Sequence, residues 1–430
     1  MSMLLKNGFL VTLDPPSAAK GDLRIDGGNI IGRGESLQAT EWEETVDLDG
    51  KVVIPGMVCA HTHLYSSLAR GMNPPKRGPK NFQQILRRIW WKLDRALDDE
   101  SIYYSAAAGA LESLKCGTTL LFDHHSSPNA IAGSLDIIRE AVAAVGLRGV
   151  LCYEVTDRGG KKERDAGLEE NRRFLASTGG DSRFRGLVGA HASFTLGKSS
   201  LEACGELASA QGAGVHMHVA EDLTDVRDAR RRSGMGLVRR LEGAGVVRDG
   251  SLFAHCVHLR PEEFRALGKQ GTWVVHNPRS NMNNGVGHAP LGEFSGRSAL
   301  GTDGFTADMF EEARAGYIRA REESAAAAGS ISRLIVGGWR LAAATFGVPF
   351  GSLAAGDVAD LAVLGYAPPT PVSKASLGGH FLFGFGSSSV ESVMVGGKWT
   401  LWNRSLPLTD EESLMRRARE AAARLWKKLE

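Results

Sequence analysis

His61 and His63 stand one residue apart at the end of the apolar run 51–60. Along a strand successive side chains alternate faces, so residues i and i+2 point the same way, and two imidazoles placed there can grip one metal ion. A polar pair at a strand end is also an ordinary way to finish a strand, and the triplet His61-Thr62-His63 alone leaves both readings open. Recurrence favours metal chemistry. Further short apolar runs end in Asp123-His124-His125, in Glu154, in His191, in His216-Met217-His218 followed by Glu221, in His255, in His276 and in Asp303. Each terminus offers a residue able to ligate an ion or move a proton.

Side chains so far apart in sequence meet only if a regular scaffold gathers them. Between the runs lie stretches with helical periodicity, at 85–115, 131–145, 199–210 and 261–269. A strand, a reactive residue and a helix, repeated eight times, specify an α/β fold, a distorted (β/α)8 TIM-like barrel whose chemistry sits at the C-terminal ends of its strands. From His61 to Asp303 each unit takes about thirty residues, the usual size of a βαβ step.

Both ends of the chain have another pattern. Residues 4–12, 21–31 and 45–50 alternate apolar and polar with Gly and Asp at the turns, which predicts antiparallel strands and hairpins, and 359–364 and 390–399 resume the pattern. Neither half makes a core alone, so residues 1–54 and 351–404 are expected to assemble one small composite β-sandwich domain beside a barrel spanning 55–350. Residues 405–430 read as an amphipathic helix, capped near Thr409-Asp410, with a solvated charged face.

The chain has 430 residues, is 43% hydrophobic, and balances 51 basic against 49 acidic residues for a net charge of +2. Such a composition fills a large core and gives no reason to expect nucleic acid or a membrane surface as partner. The first residues lack a basic segment followed by a long apolar one, and no apolar run has membrane-spanning length, so a cytoplasmic location is expected. Five cysteines, Cys59, Cys116, Cys152, Cys204 and Cys256, form no paired spacing and are read as reduced. The charged loop 157–165 is read as solvated.

These residues carry a resemblance. The chain is similar to the amidohydrolase superfamily, in its metal-dependent deaminase and chlorohydrolase branch with guanine deaminase and adenosylhomocysteine deaminase. Within that branch it most resembles the aminohydrolases of the SsnA type, through Trp90-Trp91-Lys92-Leu93-Asp94, Asp123 to Ile131, His276-Asn277-Pro278-Arg279-Ser280-Asn281-Met282 and Gly301 to Phe310. The resemblance implies His61, His63, His218 and Asp303 as metal ligands, Glu221 as proton shuttle and His255 as the group orienting water, with Asp303 also helping position the nucleophile. It implies His191 as a substrate contact and places aromatic residues, Trp90 here, over the substrate. His125, His276 and Asn277 complete the expected substrate-binding set.

His216 shares parity with His218, so strand geometry admits either as ligand, and the three-residue interval to Glu221 favours His218. Of His124 and His125 at most one faces inward. Relatives that open cyclic amides hold two metals bridged by a modified lysine at strand four. This chain has His191 there and no lysine nearby, so one divalent ion is expected, zinc by its ligands, with iron or manganese also fitting. The implied activity is deamination of a nitrogen heterocycle, purine- or pterin-like, with release of ammonia. The alternatives are a chlorohydrolase or other C–N hydrolase on the same site and a non-catalytic scaffold. A small-molecule heterocycle is the expected partner, and a homodimer the expected assembly.

Overall fold

The computed structural model describes residues 2–324 and 329–430. Met1 and residues 325–328, the latter within the expected barrel range, lie outside the described residues. The first five strands are β1 (Met3–Leu13), β2 (Pro16–Asp26), β3 (Asn29–Gly34), β4 (Glu44–Asp47) and β5 (Val52–Pro55). The barrel strands follow as β6 (Met57–Thr62), β7 (Thr118–His125), β8 (Arg148–Tyr153), β9 (Phe184–Gly186), β10 (Val188–Ala192), β11 (Val215–Val219), β12 (Leu252–His255), β13 (Trp273–His276) and β14 (Ser298–Leu300). The chain returns through β15 (Leu361–Leu364), β16 (Val390–Val395) and β17 (Lys398–Leu401).

All pairings from β6 to β9 and from β10 to β14 are parallel. These strands are buried on both faces, which explains their nearly continuous apolar sequences. The fourth barrel strand is divided: β9 pairs with β8 and β10 with β11, and a parallel bridge between Val155 and Ala190 joins the two arcs. The strands approach so closely there that a Cβ on Gly189 would lie 2.2 Å from the Tyr153 carbonyl oxygen. The opposite seam closes through a parallel bridge between Thr62 and Asp303, with Thr302 N–H donating to His61 O at 2.8 Å and His63 N–H to Asp303 O at 3.0 Å. The seam therefore places three expected metal ligands side by side through backbone hydrogen bonds.

The strands from both ends form one hydrogen-bonded eight-stranded sheet in the order β17-β16-β15-β5-β1-β2-β3, with β4 also on β1. Leu5, Leu10, Leu23, Ile25, Val53, Leu361, Val363 and Met394 form its apolar cluster, so strands from either end lack a core without the other. β5 extends to Pro55, and only Gly56 separates it from β6. Arg148 of β8 bonds Asp360 through both Nε (2.8 Å) and Nη2 (3.1 Å), tying barrel to sheet with a buried ion pair.

The stretch 85–115 is not one helix. It begins on the last residue of a short helix Phe82–Ile85 and continues through a π-helical turn Leu86–Trp90, a helix Trp91–Ala96 and a long helix Asp99–Lys115. The break at Leu97–Asp98 has a local cause: Asp98 accepts from Ser101 N–H at 2.9 Å while Ser101 Oγ accepts from Asp98 N–H at 2.8 Å, a reciprocal cap that starts a new helix within an unbroken apolar periodicity. The C-terminal helix spans Glu411–Lys427, capped by Asp410. It buries Ala418, Ala421 and Leu425, and Trp426 Nε1 donates to Leu68 O at 2.8 Å, supporting the turn Leu64–Ala69 directly after His63. Among the described residues no helix is long and apolar enough to cross a membrane.

Candidate metal and proton-transfer site

His61 and His63 leave β6 on one face, as their spacing requires, and meet His218 from β11 and Asp303 from the loop after β14. One donor atom from each of these four lies within 4.8 Å of all the others. His63 Nε2 is 2.9 Å from Asp303 Oδ1 and 3.1 Å from His218 Nε2, and His61 Nε2 is 3.2 Å from Asp303 Oδ1. The remaining ring nitrogens are committed elsewhere. His63 Nδ1 donates to His124 O at 2.6 Å and His218 Nδ1 to His191 O at 2.9 Å. Both rings therefore turn Nε2 toward one point, where a proton on His63 or a metal ion must separate the two nitrogens. Three imidazoles and a carboxylate suit a divalent ion, and the donor set fits one.

His216 points inward from the same strand one layer deeper, its Nε2 2.8 Å from His61 Nδ1. When His61 presents Nε2 as a ligand, its Nδ1–H donates to His216. His216 then fixes the orientation and tautomer of a ligand without touching the ion. Replacing it with Phe is expected to lower metal affinity about 10–100-fold, the usual loss for an outer-shell partner, with little change in fold. Metal-buffered titration of the two proteins checks this, and an unchanged affinity would remove His216 from the site.

A second group adjoins the first. Glu221, three residues beyond His218, sits with Oε2 3.7 Å from His255 Nε2, and donor atoms of Glu221, His255 and Asp303 again lie within 4.8 Å of one another. His255 Nδ1 donates to Asn281 Oδ1 at 2.8 Å, while its Nε2 is buried without a hydrogen-bond partner. Asn284 Nδ2 reaches Glu221 Oε1 at 3.3 Å, and Ser280 Oγ donates to Asp303 Oδ2. Ala220, His255, Cys256 and Asp303 all have φ between +50° and +75°. Left-handed backbone is uncommon for such residues and clusters where a site imposes its geometry.

The two carboxyls have opposite electrostatics. Burial and the charge of Asp303 push Glu221 well above the usual carboxylate range. Burial acts upward on Asp303 too, but hydrogen bonds from His61 and His63 outweigh it and hold that carboxyl low. One is thus suited to hold a proton and the other to remain ionised, a division that assigns acid and base roles. Burial lowers His61 to about 3 and keeps it neutral. For His63 burial also acts downward, and the Asp303 carboxylate lifts it to about 9; a proton and a metal ion compete for that Nε2.

The site opens into a cleft whose wall includes His63, His218, Glu221, Asp303, His191 and Trp90, with Trp91, Tyr65, Asp94 and Glu154 beside them. His191 Nδ1 pairs with Thr195 Oγ1 at 2.7 Å and its ring stands 6.3 Å from Trp91. Three expected contacts are not brought to this wall. His125 turns into the protein, bonded to Ser127 Oγ at 2.9 Å and flanked by Tyr65 and Tyr153, and it is His124 whose ring faces His218 at 4.7 Å. His276 packs edge-on to His288 and Phe294, and Asn277 is the buried residue before helix Pro278–Asn284. Rotation of that helix delivers Ser280, Asn281 and Asn284 instead. The charged loop after β8 is not wholly solvated: Arg158 binds Asp94 Oδ2 at 3.0 Å and Glu154 Oε1 at 2.8 Å and stacks 4.9 Å from Trp91. Glu154 had the same signal as the other site residues, the end of an apolar run, and Asp94 lay in the segment Trp90 to Asp94.

The amidohydrolase family model matches residues 52–400. A 5'-deoxyadenosine deaminase of Methanopyrus kandleri is 29% identical over 99% of each chain, and a 5-methylthioadenosine/S-adenosylhomocysteine deaminase of Desulforudis audaxviator is 27% identical over the same shares. Among solved structures, an adenosine deaminase from Xanthomonas campestris with bound zinc superposes with a TM-score of 0.86 at 23% identity, covering 98% of each chain. The matched segment runs from the sheet strand that leads into the barrel, past every residue of the ligand cluster, to the sheet strands that follow it, and the chain belongs to the amidohydrolase family.

Proposed function

We propose that this chain is a mononuclear, zinc-type aminohydrolase that removes the exocyclic amine from the purine ring of an adenosine-type nucleoside. The observation that carries this reading is one cleft wall on which a four-donor cation cluster adjoins a carboxyl raised by burial, Glu221, and an unpartnered imidazole nitrogen, His255 Nε2. The deaminases among its full-length relatives support the same chemistry.

His61, His63, His218 and Asp303 would hold the ion. A bound divalent metal lowers the pKa of a coordinated water from about 15.7 to about 7, making a nucleophile available at neutral pH. The protein's own groups then manage geometry and protons. His255, with Nδ1–H given to Asn281, turns an acceptor nitrogen toward the water and holds one O–H in place. Glu221 takes a proton from the attacking water and delivers it to the ring nitrogen beside the reacting carbon, so that the new C–O bond forms as the ring accepts charge. Asp303, held ionised, accepts the second water proton and passes it to the exocyclic amine, which departs as ammonia as its C–N bond breaks and the C=O bond forms. Trp90 and Trp91 supply flat apolar walls for the heterocycle, and His191 lies within reach of its polar edge.

Metal analysis paired with ammonia release from adenosine-type nucleosides, guanine, pterins and triazines tests the proposal. About one metal per chain and ammonia from nucleosides is the expected result. Chloride release from a chlorotriazine without ammonia from any amine would replace deamination by another hydrolysis. Protein that takes up no metal would favour the non-catalytic scaffold.

A further inference from the structure

Glu221 has to reach both the attacking water and the ring nitrogen, yet no regular element carries it. Strand β11 ends at Val219, and helix Leu223–Ser233 begins two residues beyond Glu221. Between them Ala220 has φ of +50°, left-handed backbone that an alanine keeps only where its surroundings hold it. Two hydrogen bonds do so. Ala220 O accepts from His258 N–H at 3.0 Å, and Ala220 N–H donates to Asp225 Oδ2 at 2.9 Å.

Asp225 sits in the first turn of helix Leu223–Ser233. An acidic residue there is ordinary, because it faces the positive end of the helix dipole, and it is normally solvated. Asp225 is instead 3% exposed, and the helix is capped by Asp222, which accepts from Thr224 N–H at 2.9 Å. Both Asp225 oxygens are turned onto other segments. Oδ1 accepts from Phe194 N–H at 3.0 Å, and Phe194 follows His191 by three residues, their rings 5.8 Å apart. One carboxyl therefore ties the backbone beside Glu221 to the turn that follows β10. That turn is itself anchored: Arg240, 7% exposed, donates through Nη1 to Ser193 Oγ at 2.9 Å and through Nη2 to Leu196 O at 2.7 Å. Burial pushes the Asp225 carboxyl up to about 7, against the pull of both N–H groups and of Arg240. With or without a proton, each carboxyl oxygen keeps a lone pair, so both N–H groups face an acceptor.

We propose that Asp225 is a positioning residue for the proton transfer: by holding the left-handed Ala220 against the anchored turn after His191, it sets the reach of the Glu221 carboxyl toward the water and the ring. Asp225 is absent from the cleft wall and from the groups of metal-ligating side chains, so it acts only through Glu221. This role rests on the deaminase reading and adds to it the element that fixes the shuttle's geometry.

The test uses the metal-loaded enzyme with adenosine. Asp225→Asn keeps the shape of the side chain, but its amide nitrogen has no lone pair, so one of the two N–H groups loses its acceptor. The expected result is a kcat about 10–100-fold lower, the order that misplacement by an ångström causes, with KM within about 3-fold and metal content unchanged. The solvent deuterium isotope effect on kcat should rise, because proton transfer then limits turnover. Val238→Ala, in the same buried cluster but outside the tie, should lower the melting temperature and leave kcat within about 2-fold. In Glu221→Gln, which has no shuttle to position, adding Asp225→Asn should change the residual rate by less than about 2-fold. An equal loss in both backgrounds overturns the proposal, since Asp225 would then act on the fold or on the metal. So does an unchanged kcat in Asp225→Asn, or a fall that Val238→Ala reproduces at equal melting temperature. If Asp225→Asn does not fold, Ala220→Gly supplies a left-handed residue without strain, and the same cycle is run in that background. A loss confined to the protein that retains Glu221 is again the expected result, and an equal loss in both again overturns it. Ammonia from the parent with equal losses overturns this role alone, whereas no ammonia from the parent overturns the deaminase reading with it.

Discussion

Glu221→Gln is expected to lower ammonia release by about 10³-fold or more, within or above the range usual for losing a positioned general acid–base, with metal content unchanged. The amide keeps the shape of the side chain and its contact with Asn284 but cannot carry a proton from water to ring nitrogen. Glu221 also lies outside the four-donor cluster. Metal per chain and single-turnover ammonia release, measured on the same sample, separate the two effects. Loss of both together would mean that Glu221 is a ligand or a structural support. Retention of activity would move the proton shuttle to another group.

Removing a ligand should have the complementary result. His218→Ala takes away one of the two ring nitrogens that converge across 3.1 Å and leaves its strand partner His216 one layer too deep to replace it. We expect metal affinity to fall by more than the ~10–100-fold cost of an outer-shell change, and activity to fall to background. Because the ion binds the folded state, ligand loss should also remove the metal-dependent rise in melting temperature, a rise the parent protein should show as metal is titrated in. A variant that still binds metal tightly, with its stability still responsive to it, would place the ion elsewhere, and the grouping of His124, Glu154 and His218 makes that outcome testable through His124→Ala.

The barrel was legible because its strands are buried on both faces and its reactive residues recur at their ends. Spacing alone suffices for His61 and His63: i and i+2 on a strand share a face whatever surrounds them. For His124 and His125 the same rule states that one faces inward and cannot say which. The choice belongs to Tyr65 of the turn after His63, Tyr153 of β8 and Ser127 two residues on, which enclose His125. His276 and Asn277 are kept from the cleft wall for a related reason. The strand end was correctly located, but the helix that begins at Pro278 rotates the following residues, and Ser280, Asn281 and Asn284 reach the site from its first two turns.

The loop after β8 shows the limit most plainly. A mixed charged segment is normally solvated, and nothing in residues 157–165 marks Arg158 as different from its neighbours. Its partners are Asp94, 64 residues away, and the indole of Trp91, delivered by an insertion whose π-helical turn and capped break at Asp98 are invisible in hydrophobic periodicity.

By itself the sequence determined the periodicities, and with them the barrel, the paired terminal strands and the order in which ligating residues arrive, because alternation and helical repeat are local properties of the chain. Only the tertiary structure decided which side chains share the cleft. It set the phase of His124 over His125, the depth of His216 below His218, the opposed ionisation of Glu221 and Asp303, and the buried pairing of Arg158 with Asp94 and Glu154. Each depends on burial and on distances between residues remote in sequence, and electrostatic free energy in a dry cleft is fixed by those distances rather than by composition.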